Sequence, residues 1–330
     1  MLKLAFVGLG WWGKELASAA SVLPSRIDIA GCYSLSPSEI TDFMALYSAK
    51  PYASYDEVLN DASINGVVLS TPHTCHASQV IQAAKARKQI FVEKPLALSL
   101  KEAFAAAQIC ADQKVVLAVG HNRRFSPVAQ ELKTWIDKGR FGKVLHVEAH
   151  FSGNSAMNFT KETWRANRRE SPAGSLVSIG LHMIDTVQWL KGPIERLACL
   201  SKRQVLQVDI DDTTTALFEM ERGVTGTIGT LFATPQNSYL RIYGTHGIAE
   251  AKNDFSELVW LGDQQQPEEI GLDPVNTLVA ELTAFCDACD DIKPYPVTPR
   301  EASQNVAVIE AMSTSGNQNG KWVNVTKAAI

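Results

Sequence analysis

Leu2-Lys3-Leu4-Ala5-Phe6-Val7 runs without a break into Gly8-Leu9-Gly10-Trp11-Trp12-Gly13, and a helical pattern follows from Lys14 to Leu23. The first six residues read as a buried strand, so the three glycines fall in a strand–turn–helix setting, which is far more specific than a bare GxGxxG. Gly8 permits the tight turn, Gly10 lets a backbone approach a pyrophosphate, and Gly13 lets the helix pack closely on the strand. The helix amino terminus adds attraction for phosphate charge. The plain alternative is a glycine-rich structural turn. Trp11 and Trp12 are bulky for such a loop: they roof a cofactor or pack on a second domain.

Moving outward, the next strand is Ile27–Tyr33, ending at Ser34-Leu35-Ser36-Pro37. A site for NAD carries an acidic side chain near this spacing to hold the ribose 2′-hydroxyl. Here the position is Ser34, with no arginine beside it. Two serines, Ser34 and Ser36, are able to donate to a 2′-phosphate, so the expectation leans slightly to NADP, with NAD also accepted. Helical and apolar segments then alternate: a helix over 38–47, a short capped helix after Ser54, the strand Gly66–Ser70, a helix over 77–87, the strand Ile90–Val92, a helix over 100–112, and the strand Val115–Gly120. Such alternation predicts a doubly wound parallel sheet over residues 1–120. Within it, Ile90-Phe91-Val92 stops abruptly at Glu93-Lys94-Pro95. Ligands of open α/β sheets sit outside the carboxyl ends of the strands, so Glu93 and Lys94 fall where chemistry is done.

From His121 the pattern changes. A helix over 128–138 precedes the alternating segment 143–151, and beyond residue 190 come closely spaced segments at 196–202, 213–220, 224–232, 239–243, 248–251 and 258–261. Short turns between such strands mean an antiparallel sheet. Residues 121–330 are therefore expected to form an α+β substrate-binding and oligomerisation domain with a large, mainly antiparallel open sheet. A closing helix over 300–315 is expected to pack back on the first domain. Composition excludes several classes: 330 residues, 45% hydrophobic, 20% charged and a net charge of -4 give no electrostatic reason for a nucleic-acid or membrane partner. No apolar run is long enough to span a bilayer, and Met1–Val7 reads as a strand rather than a signal peptide. Six scattered cysteines point to the cytoplasm, and the lone Cys286-x-x-Cys289 reads as a buried helix face, not a metal or redox site. No metal site is expected.

One further constellation lies between the two halves. After Ser171-Pro172-Ala173-Gly174-Ser175, helical spacing runs from Leu176 to Leu190, and Ser178, His182 and Asp185 share one face of that helix. With Gly8–Gly13, Thr71–His76, Glu93–Pro95 and Ser178–Asp185 in this order, the chain resembles the glucose–fructose oxidoreductase/inositol dehydrogenase/rhizopine-catabolism family of NAD(P)-dependent oxidoreductases over essentially its whole length. The resemblance implies that Lys94 is the active-site lysine and His182 the catalytic acid/base. It also implies that Thr71, Pro72 and His76 lie beside the cofactor, and that Asn122 and Arg124 approach a sugar or cyclitol substrate. Trp164-Arg165 resembles a substrate-domain element, and the Lys94–Pro95 bond is expected to be cis. A homodimer or homotetramer formed through the open sheet is implied as well. One departure is Ser178, where relatives commonly carry aspartate four residues before the histidine; it bears on substrate class more than on chemistry. The family also holds a cofactor-binding regulator without turnover, an alternative that the presence of both Lys94 and His182 argues against.

Overall fold

The computed structural model describes residues 1–262 and 266–328 and divides into two compact units. The first holds Met1–Asn122 and Asn276–Ser303; the second holds Arg123–Val275 and, among the described residues, 304–328. The first unit alternates strand and helix: β1 Leu2–Val7, α1 Trp11–Ser21, β2 Ile27–Tyr33, α2 Pro37–Leu46, β3 Lys50–Pro51, α3 Tyr55–Asn60, β4 Gly66–Leu69, α4 His73–Lys85, β5 Gln89–Glu93, α5 Leu100–Gln113 and β6 Leu117–Gly120. Its sheet has the order β3-β2-β1-β4-β5-β6, parallel throughout. The strands are apolar on both faces because helices cover both: Leu4 to Val7, Val67 to Leu69 and Ile90 to Val92 are fully buried. Strand order reverses between β1 and β4, and this is where open α/β sheets bind ligands.

The second unit contains α6 Pro127–Asp137, β7 Val144–Ser152, α7 Leu181–Lys191, β8 Ile194–Lys202, β9 Thr213–Met220, β10 Thr225–Leu231, β11 Asn237–Gly244, β12 Gly247–Lys252, β13 Glu257–Gly262 and β14 Pro267–Ile270. After α8 Thr277–Cys289 and α9 Pro299–Asn317, the short β15 Val323–Asn324 completes a nine-stranded sheet of order β14-β13-β12-β11-β7-β10-β9-β8-β15. It is antiparallel except where β10 runs parallel to β7. Strict alternation of buried and open positions along β9, with Ala216, Phe218 and Met220 inside, packs one face. The other face leaves Leu200 and Leu217 about half exposed, at 51% and 45%.

Residues 276–303 join the first unit, whereas the sequence pattern set the boundary near residue 120 and placed everything after it in the second domain. Contacts explain the difference. Phe285, fully buried on α8, meets Phe91 of β5 edge-on at 5.9 Å, and Arg26 pairs with Asp287 at 2.9 Å and Asp290 at 3.1 Å. The Tyr295 hydroxyl donates to the Val119 carbonyl at 3.2 Å. Burying a phenylalanine of this kind contributes about 1.5–3 kcal/mol. Only the first residues of α9, Pro299–Ser303, belong to the first unit; the rest of that helix belongs to the second. The six cysteines are all unbridged. On α8, Cys286 is buried and Cys289 half-buried, and burial pushes the Cys286 thiol up to about 11 and Cys289 higher still. Among the described residues no group of His, Cys, Asp or Glu is placed to hold a metal, and no helix is long and apolar enough to cross a membrane.

Candidate active site

Three of the four motifs stand side by side because their strands do. Val7 pairs with Leu69, Leu69 with Val92, and Glu93 with Gly120, so the turns after β1, β4, β5 and β6 leave one edge of the sheet together. At the first turn each glycine has a separate reason. Gly8 has φ +86°, and a side chain there would meet the Ser70 carbonyl at 2.8 Å. A Cβ on Gly13 would lie 2.2 Å from the Gly8 oxygen, which is the close helix–strand packing expected. Gly10 differs: only Glu39 Oε1, at 3.8 Å, approaches its Cβ position. Gly10 is also the N-cap of α1 and supplies no side-chain cap. No side chain of its own caps the first turn of α1, and uncapped helix N–H groups of this kind favour an anion. Gly13→Ala should accordingly lower stability by about 1–3 kcal/mol. Gly10→Ala should melt like the parent while losing tenfold or more in dinucleotide affinity; thermal denaturation and fluorescence titration separate the two.

The helix begins at Trp11, three residues before the expected start, so both tryptophans sit in its first turn. Trp11 is 70% exposed. Trp12 is half-buried, its ring 5.2 Å from that of Trp11, and its indole Nε1 is enclosed with no hydrogen-bond acceptor among the described residues. A buried donor without a partner costs stability unless a ligand supplies one, which fits a phosphate- or ribose-bearing group at this turn. His76, from the second motif, is 1% exposed: one ring nitrogen lies 2.7 Å from the Pro95 carbonyl and the other 2.9 Å from that of Thr71. It ties the Thr71-Pro72 turn to the Lys94–Pro95 loop. The Thr71 hydroxyl donates to Gln79 at 2.5 Å. The Lys94–Pro95 bond is cis. Glu93 is buried against Gly120, while Lys94 is half-buried. Asn122, 9% exposed, donates to Thr277 at 3.1 Å.

In the second unit the expected continuous α-helix is interrupted. Leu176–Gly180 forms one π-helical turn, and α7 starts at Leu181. Such turns recur at functional sites. Ser178 lies in this turn, half-buried, and His182 follows in the first turn of α7 at 7% exposure. The partners of His182 and Asp185 differ from the shared face read from the sequence. Asp185 is 1% exposed and takes a bidentate hydrogen bond from Arg124, at 2.8 and 2.7 Å, plus one from Asn305 at 2.7 Å. Arg124 is itself 2% exposed, and its Nε and Nη2 both point to Asp185. The neighbouring Arg123 is placed differently: its Nη1 lies 3.1 Å from His182 Nε2 and 3.3 Å from Nδ1, and Asp254 holds it bidentately at 3.0 and 2.7 Å. Two adjacent arginines look alike in sequence, and only the buried aspartate behind one of them tells them apart. Trp164 and Arg165 form a single 3-10 turn in which Arg165 lies over the Trp164 ring at 4.1 Å. A small core of Ala156, Ala166, Leu206, Val208, Ile210 and Phe232, with Ile179 packed against it, anchors this turn beside the π-helical one.

The model for the NAD-binding Rossmann fold of the GFO/IDH/MocA oxidoreductases matches residues 2–121, and the GFO/IDH/MocA C-terminal domain model matches residues 129–250. The chain belongs to the GFO/IDH/MocA family. Among its GFO/IDH/MocA relatives, the glucose-6-phosphate 3-dehydrogenase of Bacillus subtilis is 31% identical over 192 residues, 58% of this chain and 54% of that protein. The scyllo-inositol 2-dehydrogenase (NAD(+)) of the same organism is 30% identical over 212 residues, 61% and 58% of the two chains. The chain thus matches little more than half the length of these two relatives. A solved structure from Desulfitobacterium hafniense, described as a candidate NADPH-dependent oxidoreductase, superposes with a TM-score of 0.92 at 25% identity, covering 98% and 97% of the two chains. The GFO/IDH/MocA assignment accounts for both sheets and for the order of the four motifs.

Proposed function

We propose that this protein is an NAD(P)-dependent dehydrogenase or reductase acting on a CH–OH or carbonyl carbon of a sugar, sugar derivative or cyclitol. The observation that carries the reading is the sheet edge at the point of strand reversal, where an uncapped helix terminus, the Thr71 turn and the Glu93-Lys94-Pro95 exit stand next to one another. The names of its relatives, one acting on a sugar phosphate and one on an inositol, support the substrate class. When bound, the nicotinamide accepts or supplies the hydride. Gly8, Gly10, Gly13 and the first turn of α1 hold the pyrophosphate, and Trp12 Nε1 supplies a further donor. Lys94 donates from its ammonium to the reacting oxygen and stabilises alkoxide charge. His182 takes the hydroxyl proton in oxidation or returns it in reduction. Arg123 bounds the histidine on one side, its Nη1 standing 3.1 and 3.3 Å from the two ring nitrogens. Ser178, Trp164, Arg165 and Asn122 orient the substrate hydroxyls, and Glu93 steadies Lys94 or the cofactor ribose.

The same reading takes the protein as cytoplasmic, with a second copy covering the open sheet face around Leu200 and Leu217. The lean to NADP rested on Ser34 and Ser36 as donors to a 2′-phosphate, and Ser34 Oγ here donates to Glu39. The test is an assay of sugars, sugar phosphates and cyclitols with both oxidised cofactors, following reduced nicotinamide absorbance. Turnover on at least one polyol supports the reading. Tight dinucleotide binding with no turnover across the panel, in either direction, would refute it.

A further inference from the structure

We infer that Glu39 reads the ribose of the dinucleotide and makes the protein prefer NAD to NADP. The inference rests on the nucleotide-binding reading of the β1–α1 turn. Helix α2 starts directly after β2, with Ser36 as its N-cap, Pro37 at its first position and Glu39 at its third. In a capping box a glutamate in that place turns back to the N–H of the cap residue. Here that N–H is already taken, because Ser36 N–H donates to Ser34 Oγ at 3.2 Å. The Glu39 carboxylate instead accepts the Ser34 hydroxyl proton at 2.5 Å through Oε2. Its other oxygen, Oε1, is the atom standing 3.8 Å from the Cβ position of Gly10. One carboxylate therefore spans the end of β2 and the glycine turn, where a dinucleotide-binding fold places the adenosine ribose.

Two consequences follow for the ligand. Ser34 has a single proton and gives it to Glu39, so it has none left for a 2′-phosphate. The carboxylate is half-buried and makes no ion pair among the described residues; Lys14, on α1, is paired with Asp42 at 3.0 Å. A 2′-phosphate brought here meets an uncompensated negative charge, whereas ribose hydroxyls meet an acceptor. That is discrimination by repulsion as well as attraction. The carboxylate was missed in the sequence because it comes from the following helix and not from the strand end.

The test is direct binding of NADH and NADPH to the full chain, by nucleotide fluorescence and by calorimetry. The parent should bind NADH at least tenfold more tightly than NADPH. Glu39→Gln should shrink that ratio by tenfold or more, mainly by tightening NADPH. Ser34→Ala, which keeps the carboxylate and covers the case of a poorly folding Glu39 variant, should still prefer NADH. If both nucleotides bind and NADPH binds equally or better, or if Glu39→Gln leaves the ratio unchanged, the inference fails while the nucleotide site stands. If neither nucleotide binds at all, the nucleotide reading itself fails and the inference with it.

Discussion

Lys94→Met should lower turnover by about 100- to 1000-fold, the scale of losing one preorganised donor to a reacting oxygen, while dinucleotide affinity stays within a few-fold. The side chain leaves the carboxyl end of a fully buried strand and is half-buried there. Methionine keeps the length and apolar stem, so the packing around Pro95 and Leu96 is retained and only the ammonium is lost. Because the charge is needed most when alkoxide develops, the loss should fall on kcat and kcat/KM together, with little change in nucleotide binding. Single-turnover kinetics beside a nucleotide titration separates these quantities. Near-normal turnover would remove Lys94 from the chemistry.

The largest effect on stability is expected at Asp185. Its carboxylate and the Arg124 guanidinium are 1% and 2% exposed, and Asn305 completes the cluster. Removing one partner of such a pair leaves a buried charge uncompensated and costs about 3–5 kcal/mol. Asp185→Ala should therefore lower the melting temperature by something on the order of 10 °C for a unit of this size. The joint change Arg124→Met with Asp185→Leu removes both charges and should cost much less than Asp185→Ala alone. Denaturant unfolding of the single and double variants measures the coupling. A loss below about 1 kcal/mol for Asp185→Ala would mean that the cluster is not the brace behind His182.

The parallel sheet was legible because its strands are buried on both faces and read as unbroken apolar runs, and because glycine and proline mark where they end. Thr213–Met220 was read to the residue from its alternation. Less visible were β3, β14 and β15, two to four residues each, which are ordered by a neighbouring strand and not by their own pattern. The return of residues 276–303 to the first unit was hidden for a related reason: an amphipathic helix shows that it has a partner, not which one. At the site, the motif positions were legible but their roles divided. His76 and Arg124 are tied to neighbouring protein groups, contacts that a sequence does not display. Arg123 was passed over for Arg124 because adjacent arginines carry the same signal until the buried Asp185 beside one of them is seen.

The π-helical turn at Leu176–Gly180 has a bearing on chain length. Its hydrogen bonds close over five residues instead of four, so the segment holds one residue more than an α-helical turn would need. A protein that loses one residue here can fall back on the regular ladder without breaking α7 or displacing His182. Deleting Val177 should thus give a folded protein in which Ser178 is swung to a new azimuth while the histidine stays in place. Loop-length variation is ordinarily absorbed at the surface; this helix stores one spare residue beside Ser178 and His182, where a single deletion reorients a side chain without shortening α7.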